Sequence, residues 1–210
     1  MNNLNNLDYY FITHDNISRN DNCSDVKQAL KAGCHIVQYR EKNKTLNEMI
    51  CEAKKIKNLC SNNVVFLIND FVDLAIAVNA DGVHIGQDDT SVSDARKILG
   101  DDRIIGLTVH DEKEAVEAEK LGVDYISLAP IFATNTKGDS GFPCGLEMLK
   151  EVRDCVNIPI VAVGGITKGN VVDVIRAGAD GVVAVSSMLN SVNVYDNIMS
   201  FIKIIREVKN

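Results

Sequence analysis

Residues His35 to Lys44 read HIVQYREKNK, a short β-branched run that passes directly into charge. Strand side chains alternate faces, so Gln38, Arg40 and Lys42 point one way and Tyr39 and Glu41 the other. An amide, a guanidinium and an ammonium aimed together form a site for an anion. Two carboxylates follow further along: Asp70 closes FLIND and Asp89 closes HIGQDD. Such a pair, without His or Cys, suits a hard cation such as Mg2+, which keeps waters and takes its remaining ligands from substrate phosphates. Beside the three donors, the pair points to a metal-bound pyrophosphate. The plain alternative for Asp70 is an N-cap on the stretch FVDLAIAV; Asp88 is a weaker ligand candidate, with a cap or a solvated charge as its alternatives.

A second anion site is suggested near the C-terminus. Gly164-Gly165 and Ser186-Ser187 each follow a short apolar run, and glycine permits close approach of backbone N–H groups to a phosphate. Between the two sites lies a long loop, IFATNTKGDSGFPCG, from Ile131 to Gly145. Its length suggests a lid. Thr134, Thr136 and Lys137 give it two hydroxyls and a cation. Two anion sites, one beside a metal pair and one a handle, favour a transfer reaction that expels pyrophosphate.

These groups need a scaffold that gathers them. Strands are expected at Tyr9–Thr13, His35–Tyr39, Val64–Ile68, Gly82–Ile85, Ile104–Thr108, Tyr125–Leu128, Ile160–Val163 and Gly181–Val185, with amphipathic stretches between them. In Leu46 to Cys60 an apolar stripe runs through Leu46, Met49, Ile50, Ala53, Ile56 and Cys60; Asp111 is a plausible N-cap for the stretch to Leu121. Eight strand–helix units predict a closed parallel (β/α)8 TIM barrel, a single domain over residues 1–210. A weak repeat supports this. Ala32-Gly33-Cys34-His35, Leu121-Gly122-Val123-Asp124 and Ala177-Gly178-Ala179-Asp180 each sit between a helix and a strand, and Asn79-Ala80-Asp81 does the same. Gly or Asn there fits a left-handed helix cap at the bottom of the barrel. The polar strand ends would gather at the other face, where barrel sites are built.

Bulk properties narrow the classes. The 210 residues are 46% hydrophobic with a net charge of -7, which argues against a nucleic-acid partner. Five per cent aromatics and no Trp make base-stacking platforms implausible. The N-terminus MNNLNNLDYY lacks the features of a signal peptide, and no apolar run is long enough for a membrane span. Six cysteines without a C-x-x-C pair read as reduced, buried hydrophobes of a cytoplasmic protein. Histidines 14, 35, 84 and 110 read as structural.

The motifs together resemble the thiamine-phosphate synthase family. VQYREK, LIND, DGVHIGQDD, IIGLTVH, the PIFATNTK loop, IPIVAVGGI and AGADGVVAVS occur in family order across Tyr9 to Leu189. The resemblance implies that hydroxymethylpyrimidine pyrophosphate is joined to a thiazole phosphate, giving thiamine phosphate and pyrophosphate. By position it implies that Gln38, Tyr39, Arg40, Glu41, Lys42 and Asn69 bind the pyrimidine pyrophosphate, and that Asp70 and Asp89 bind Mg2+. Thr108 takes the family's hydroxyl position near the pyrimidine, where Ser is usual. Thr134, Asn135 and Thr136, with Gly165, Val185 and Ser186, would hold the thiazole phosphate, and Lys137 would contact the pyrophosphate. Arg40, Lys137 and Thr108 are the expected catalytic groups, and small molecules the expected partners, with a homo-oligomer left open. Two rivals remain: a thiazole tautomerase of the same superfamily using His110 as acid–base, and a non-catalytic barrel that binds a phosphorylated ligand.

Overall fold

The computed structural model describes residues 4, 7–14, 16–18, 20–61, 63–134, 136, 141–191 and 193–210. Eight parallel strands follow in order: β1 (Tyr10–Ile12), β2 (Ile36–Tyr39), β3 (Val65–Asn69), β4 (Gly82–Ile85), β5 (Ile104–Val109), β6 (Tyr125–Leu128), β7 (Ile160–Val163) and β8 (Gly181–Val183). Each pairs with the next in sequence. The seam is closed by the Tyr9–Val182 bridge, with Val182 N–H donating to the Asp8 carbonyl at 3.1 Å. The helices are α1 (Asn22–Lys31), α2 (Leu46–Leu59), α3 (Val72–Ala77), α4 (Val92–Leu99), α5 (Glu112–Lys120), α6 (Gly145–Cys155), α7 (Val171–Arg176), α8 (Ser186–Leu189) and α9 (Val194–Lys209). This is the expected TIM barrel. The expected strand Gly181–Val185 ends two residues early, because Val185 already has helical angles and leads into α8. Among the described residues, no helix is long and apolar enough to cross a membrane.

Local chemistry starts the helices where the sequence suggests. Thr45 and Glu48 form a reciprocal capping box on α2, whose Met49, Ala53 and Ile56 are buried. Leu46, assigned to the same stripe, is instead exposed. The Asp111 side chain accepts from Glu114 N–H at 2.9 Å and caps α5. Strand alternation divides the core in two. Phe11, Val37, Phe66, Ile68, Val83, Ile105 and Ile126 face the helices, whereas Tyr10, Ile36, Leu67, Ile104, Tyr125, Val161 and Val183 fill the barrel.

The bottom of the barrel explains the repeat. Gly33, Asn79, Gly122 and Gly178 all have positive φ, as the cap reading expects. The Asp that ends three of the repeats then acts as a staple. Asp81, Asp124 and Asp180 accept the N–H of Phe66, Ile105 and Ile160 respectively, each at 2.8 Å. Each also pairs with a cation from a helix: Lys57, Arg96 and Arg153. One carboxylate thus ties a strand start to a helix, three times round the ring. The cysteines are free, but only Cys34 is buried; Cys51 and Cys155 are exposed, which corrects the expectation that they are buried.

Candidate active site

The C-terminal ends of the strands open onto one cavity of about 390 Å³. Its floor is made by inward-facing strand residues: Gln38, Asn69, His84, Thr108, Ser127 and Val183. These positions follow from period-2 alternation on parallel strands in fixed register, for instance Asn69 opposite His84 and Thr108 opposite Ser127.

Arg40 and Lys42 rise from the loop after β2 on the same side as Gln38, as the alternation requires, and line the cavity. The neighbouring strand holds Arg40 in place. Buried Thr13 Oγ1 accepts from Arg40 N–H at 2.9 Å and donates to the Arg40 carbonyl at 3.1 Å. One hydroxyl therefore satisfies both backbone groups of Arg40, so the base of this side chain is fixed before any ligand binds. Among the described residues its guanidinium has no ion-pair partner. Tyr39 and Glu41 do not line the cavity. Tyr39 donates to Glu52 at 2.7 Å in the helix layer. Glu41 turns back onto its own loop, accepting from Lys42 N–H at 2.8 Å and Asn43 N–H at 2.6 Å. Burial pushes the Glu41 carboxyl up, but the Asn43 N–H and the Lys44 ammonium outweigh it and hold it below the usual range. The same pleat that aims Arg40 inward turns these two side chains outward.

Asp70 and Asp89 come together at the mouth. Asp70 sits at φ 62, a left-handed conformation uncommon for a residue with a Cβ. It does not cap α3: the N-cap position there is Phe71, without a side-chain bond. Its carboxylate faces Lys42 and lies within hydrogen-bonding reach of Asp89. Burial is the largest influence on Asp70, Lys42 opposes it, Asp89 adds to it, and the net direction is upward. Asp89 also accepts the Gly86 N–H at 2.7 Å, which turns it toward the cavity. Two carboxylates crowded in this way call for positive charge. Lys42 supplies part of it, and no cluster of three or more His, Cys, Asp or Glu with metal-ligand geometry occurs among the described residues.

The opposite wall carries Gly164, Gly165, Val185 and Ser186, with Thr134 and Thr136 from the loop after β6. The glycines have a second reason to be glycine. A Cβ on Gly165, at φ 63, would stand 2.7 Å from Phe132 Cβ and 2.8 Å from the Ala133 carbonyl. The missing side chain therefore makes room for the loop itself. The loop's base is pinned: Ile131 N–H donates to Val163 at 2.8 Å, Phe132 N–H to Gly164 at 3.1 Å and Gly145 N–H to Ile131 at 3.0 Å. Ser187 lies outside the cavity, its hydroxyl donating to the Ile166 carbonyl at 2.8 Å. Asn135 and Lys137 lie outside the described residues.

Three histidines read from the sequence as structural also line this cavity. His84 stands on the floor, its Nδ1 2.8 Å from Tyr125 Oη and its Nε2 2.9 Å from Thr108 Oγ1. Its inward position could have been read from the alternation of GVHI. Buried His14, after β1, meets the Thr136 carbonyl through Nε2 at 3.2 Å, and burial lowers its basicity. His110 is exposed on the rim, paired with Glu114 at 2.8 Å.

Comparison with known proteins gives a consistent picture. The family described as Thiamine monophosphate synthase matches residues 9–188. The chain is 50% identical over 206 residues to the thiamine-phosphate synthase of Methanosarcina barkeri, covering 98% of this chain and 94% of that protein. It is 43% identical to the thiamine-phosphate synthase of Clostridium perfringens, covering 96% and 99%. A solved structure, thiamine phosphate pyrophosphorylase from Pyrococcus furiosus, superposes with a TM-score of 0.90 at 34% identity, covering 98% of both chains.

Proposed function

The chain belongs to the thiamine monophosphate synthase family, and on that premise we propose that it joins hydroxymethylpyrimidine pyrophosphate to a thiazole phosphate, releasing pyrophosphate. It is a transferase, a thiamine-phosphate synthase, acting on small molecules. The observation that carries the residue assignment is convergence. Gln38, Arg40, Lys42, Asn69, Asp70, Asp89 and Thr108, from four consecutive strands, line one side of a cavity whose far wall is Thr134, Thr136, Gly165, Val185 and Ser186.

The first set holds the pyrimidine pyrophosphate. Gln38, Asn69 and Thr108 are floor groups that meet the ring, while Arg40 and Lys42 stand above them at the diphosphate. Asp70 and Asp89 would hold Mg2+; burial first, and the neighbouring Asp89 second, raise Asp70 despite Lys42, which suits a site made to receive a dication. When bound, Mg2+ neutralises the charge that grows on the departing diphosphate. Arg40 does the same from the chain itself. Its backbone is already anchored by Thr13, so the side chain reaches the diphosphate from a fixed base. The far wall binds the thiazole phosphate through backbone N–H groups and hydroxyls, which places the thiazole nitrogen for attack on the pyrimidine methylene. Lys137, on the loop beside Thr136, is assigned to the diphosphate by the family's pattern. Tyr39 and Glu41 take no side-chain part; they anchor the loop that carries Arg40 and Lys42.

The test is to mix the two substrates with the purified protein, with and without Mg2+, and follow pyrophosphate and thiamine phosphate by mass spectrometry. Products that appear only with Mg2+ are expected. Tight binding of either substrate without turnover would leave a phosphate-binding barrel and end the transferase reading.

A further inference from the structure

Five side chains form one hydrogen-bonded line across the barrel beneath the cavity. Gln38 Nε2 donates to Tyr10 Oη at 2.6 Å, and Tyr10 Oη lies 2.8 Å from Tyr125 Oη. Tyr125 Oη lies 2.8 Å from His84 Nδ1, and His84 Nε2 lies 2.9 Å from Thr108 Oγ1. The two tyrosines are 1% and 0% exposed and do not line the cavity, so neither touches a ligand there. The barrel is shaped around them. A Cβ on Gly106 would stand 2.1 Å from the Tyr125 ring, so β5 gives up an inward side chain to let that ring in. The His84 ring stacks on Tyr125 with centroids 5.5 Å apart.

The line has a direction because Gln38 turns its amide nitrogen, and not its amide oxygen, to Tyr10. An amide nitrogen has no acceptor site, so the Tyr10 oxygen receives the Gln38 proton. The proton of Tyr10 then has one partner left, the Tyr125 oxygen. The reverse arrangement, with Tyr125 donating to Tyr10, strands the Tyr10 proton in a dry interior, which costs more than a hydrogen bond returns. Tyr125 therefore donates to His84 Nδ1. The imidazole carries its proton on Nε2 and donates to Thr108 Oγ1, leaving the Thr108 proton free to point into the cavity.

We propose that Tyr10 and Tyr125 are positioning residues: they fix His84 as the Nε2–H tautomer, and through it turn the Thr108 hydroxyl into a donor facing the ligand. This rests on the reading of Thr108 as a pyrimidine contact and adds that the ligand atom it meets is a hydrogen-bond acceptor. The tyrosines act at a distance, by proton direction and not by contact.

The test is 15N NMR of the histidine-labelled protein without substrates, with His84 assigned by loss of its signals in His84→Gln. A pyridine-like Nδ1 and a pyrrole-like Nε2 are expected. Gln38→Glu, measured at a pH where the new carboxyl is ionised, replaces the donor with an acceptor, which reverses every bond in the line and exchanges the two nitrogen signatures. Tyr125→Phe removes the proton that selects the tautomer. Its nitrogen signals should move toward an averaged pattern, and its kcat should fall by about fivefold with little change in KM, the worth of one neutral hydrogen bond. Tyrosines that merely pack would leave the nitrogen pattern unchanged in Tyr125→Phe, which settles the matter even where Gln38→Glu does not fold. A wild-type Nδ1–H tautomer with normal turnover overturns this inference alone. The expected tautomer in a protein without turnover overturns the functional reading and leaves the proton line standing.

Discussion

Replacing Arg40 by Ala isolates the contribution of one charge carried on an anchored backbone. In the free protein its guanidinium has no ion-pair partner among the described residues, and its backbone is held by Thr13 through bonds of 2.9 and 3.1 Å that the substitution leaves intact. The fold should therefore lose little, within about 0.5 kcal/mol for a change away from any packed core. The transition state should lose a charge-assisted hydrogen bond, about 1.5–3 kcal/mol. That converts to a drop in kcat/KM of about 10- to 150-fold. If Arg40 neutralises charge only as the diphosphate departs, kcat carries the loss and KM moves little. The assay is coupled pyrophosphate release under saturating Mg2+, run beside thermal unfolding of the same preparation. Thr13→Val makes a second, graded case. It removes both bonds to the Arg40 backbone but keeps the guanidinium, so it should lower kcat/KM less than Arg40→Ala while costing more stability, about 1–3 kcal/mol, because buried groups lose their partner. Full activity in Arg40→Ala, or a loss wholly explained by unfolding, would refute the reasoning.

Three further outcomes follow from particular contacts. Asp89→Asn keeps an acceptor for the Gly86 N–H but removes the charge beside Asp70, so the Mg2+ needed for half-maximal rate should rise by about tenfold or more; an unchanged titration removes Asp89 as a ligand. Gly165→Ala forces a Cβ against Phe132 and the Ala133 carbonyl at a φ of 63, and should cost about 1–3 kcal/mol in thermal or denaturant unfolding, with a raised KM for the thiazole phosphate; wild-type stability would mean the loop is not seated on this glycine. Asp8 is pushed up by burial, but the Arg206 and Lys209 hydrogen bonds outweigh this, so its folded pKa lies below the ordinary 3.8. Its contribution is therefore present above that value and is lost as pH falls through the lower folded one. With Arg206 half exposed and screened by solvent, it amounts to about 1 kcal/mol. Asp8→Asn should flatten the stability–pH curve below about pH 4; the same acid limb in both proteins would assign it to other carboxylates.

The sequence decided what local rules can decide. Period-2 runs separated by amphipathic stretches placed the eight strands to within two residues at either end, because a parallel barrel strand is read directly from its own β-branched residues. Asn79 and Gly178 were legible as left-handed caps from residue type alone. Arg40 and Asp89 were legible because strand ends of a parallel barrel all reach one mouth. Whatever depends on which strand stands beside which was left to the tertiary structure. Alternation alone turned Tyr39 and Glu41 away from the cavity, but it does not tell that Tyr39 meets Glu52 in the helix layer while Glu41 closes onto the N–H groups of its own loop. The pairing of β1 with β2 puts Thr13 beside Arg40, 27 residues away. The line from Gln38 through Tyr10 and Tyr125 to His84 joins residues 28, 115 and 41 positions apart. Such partners leave no periodic trace in the chain, since side chains inside a barrel choose one another by register and by the room that a residue such as Gly106 leaves across the interior.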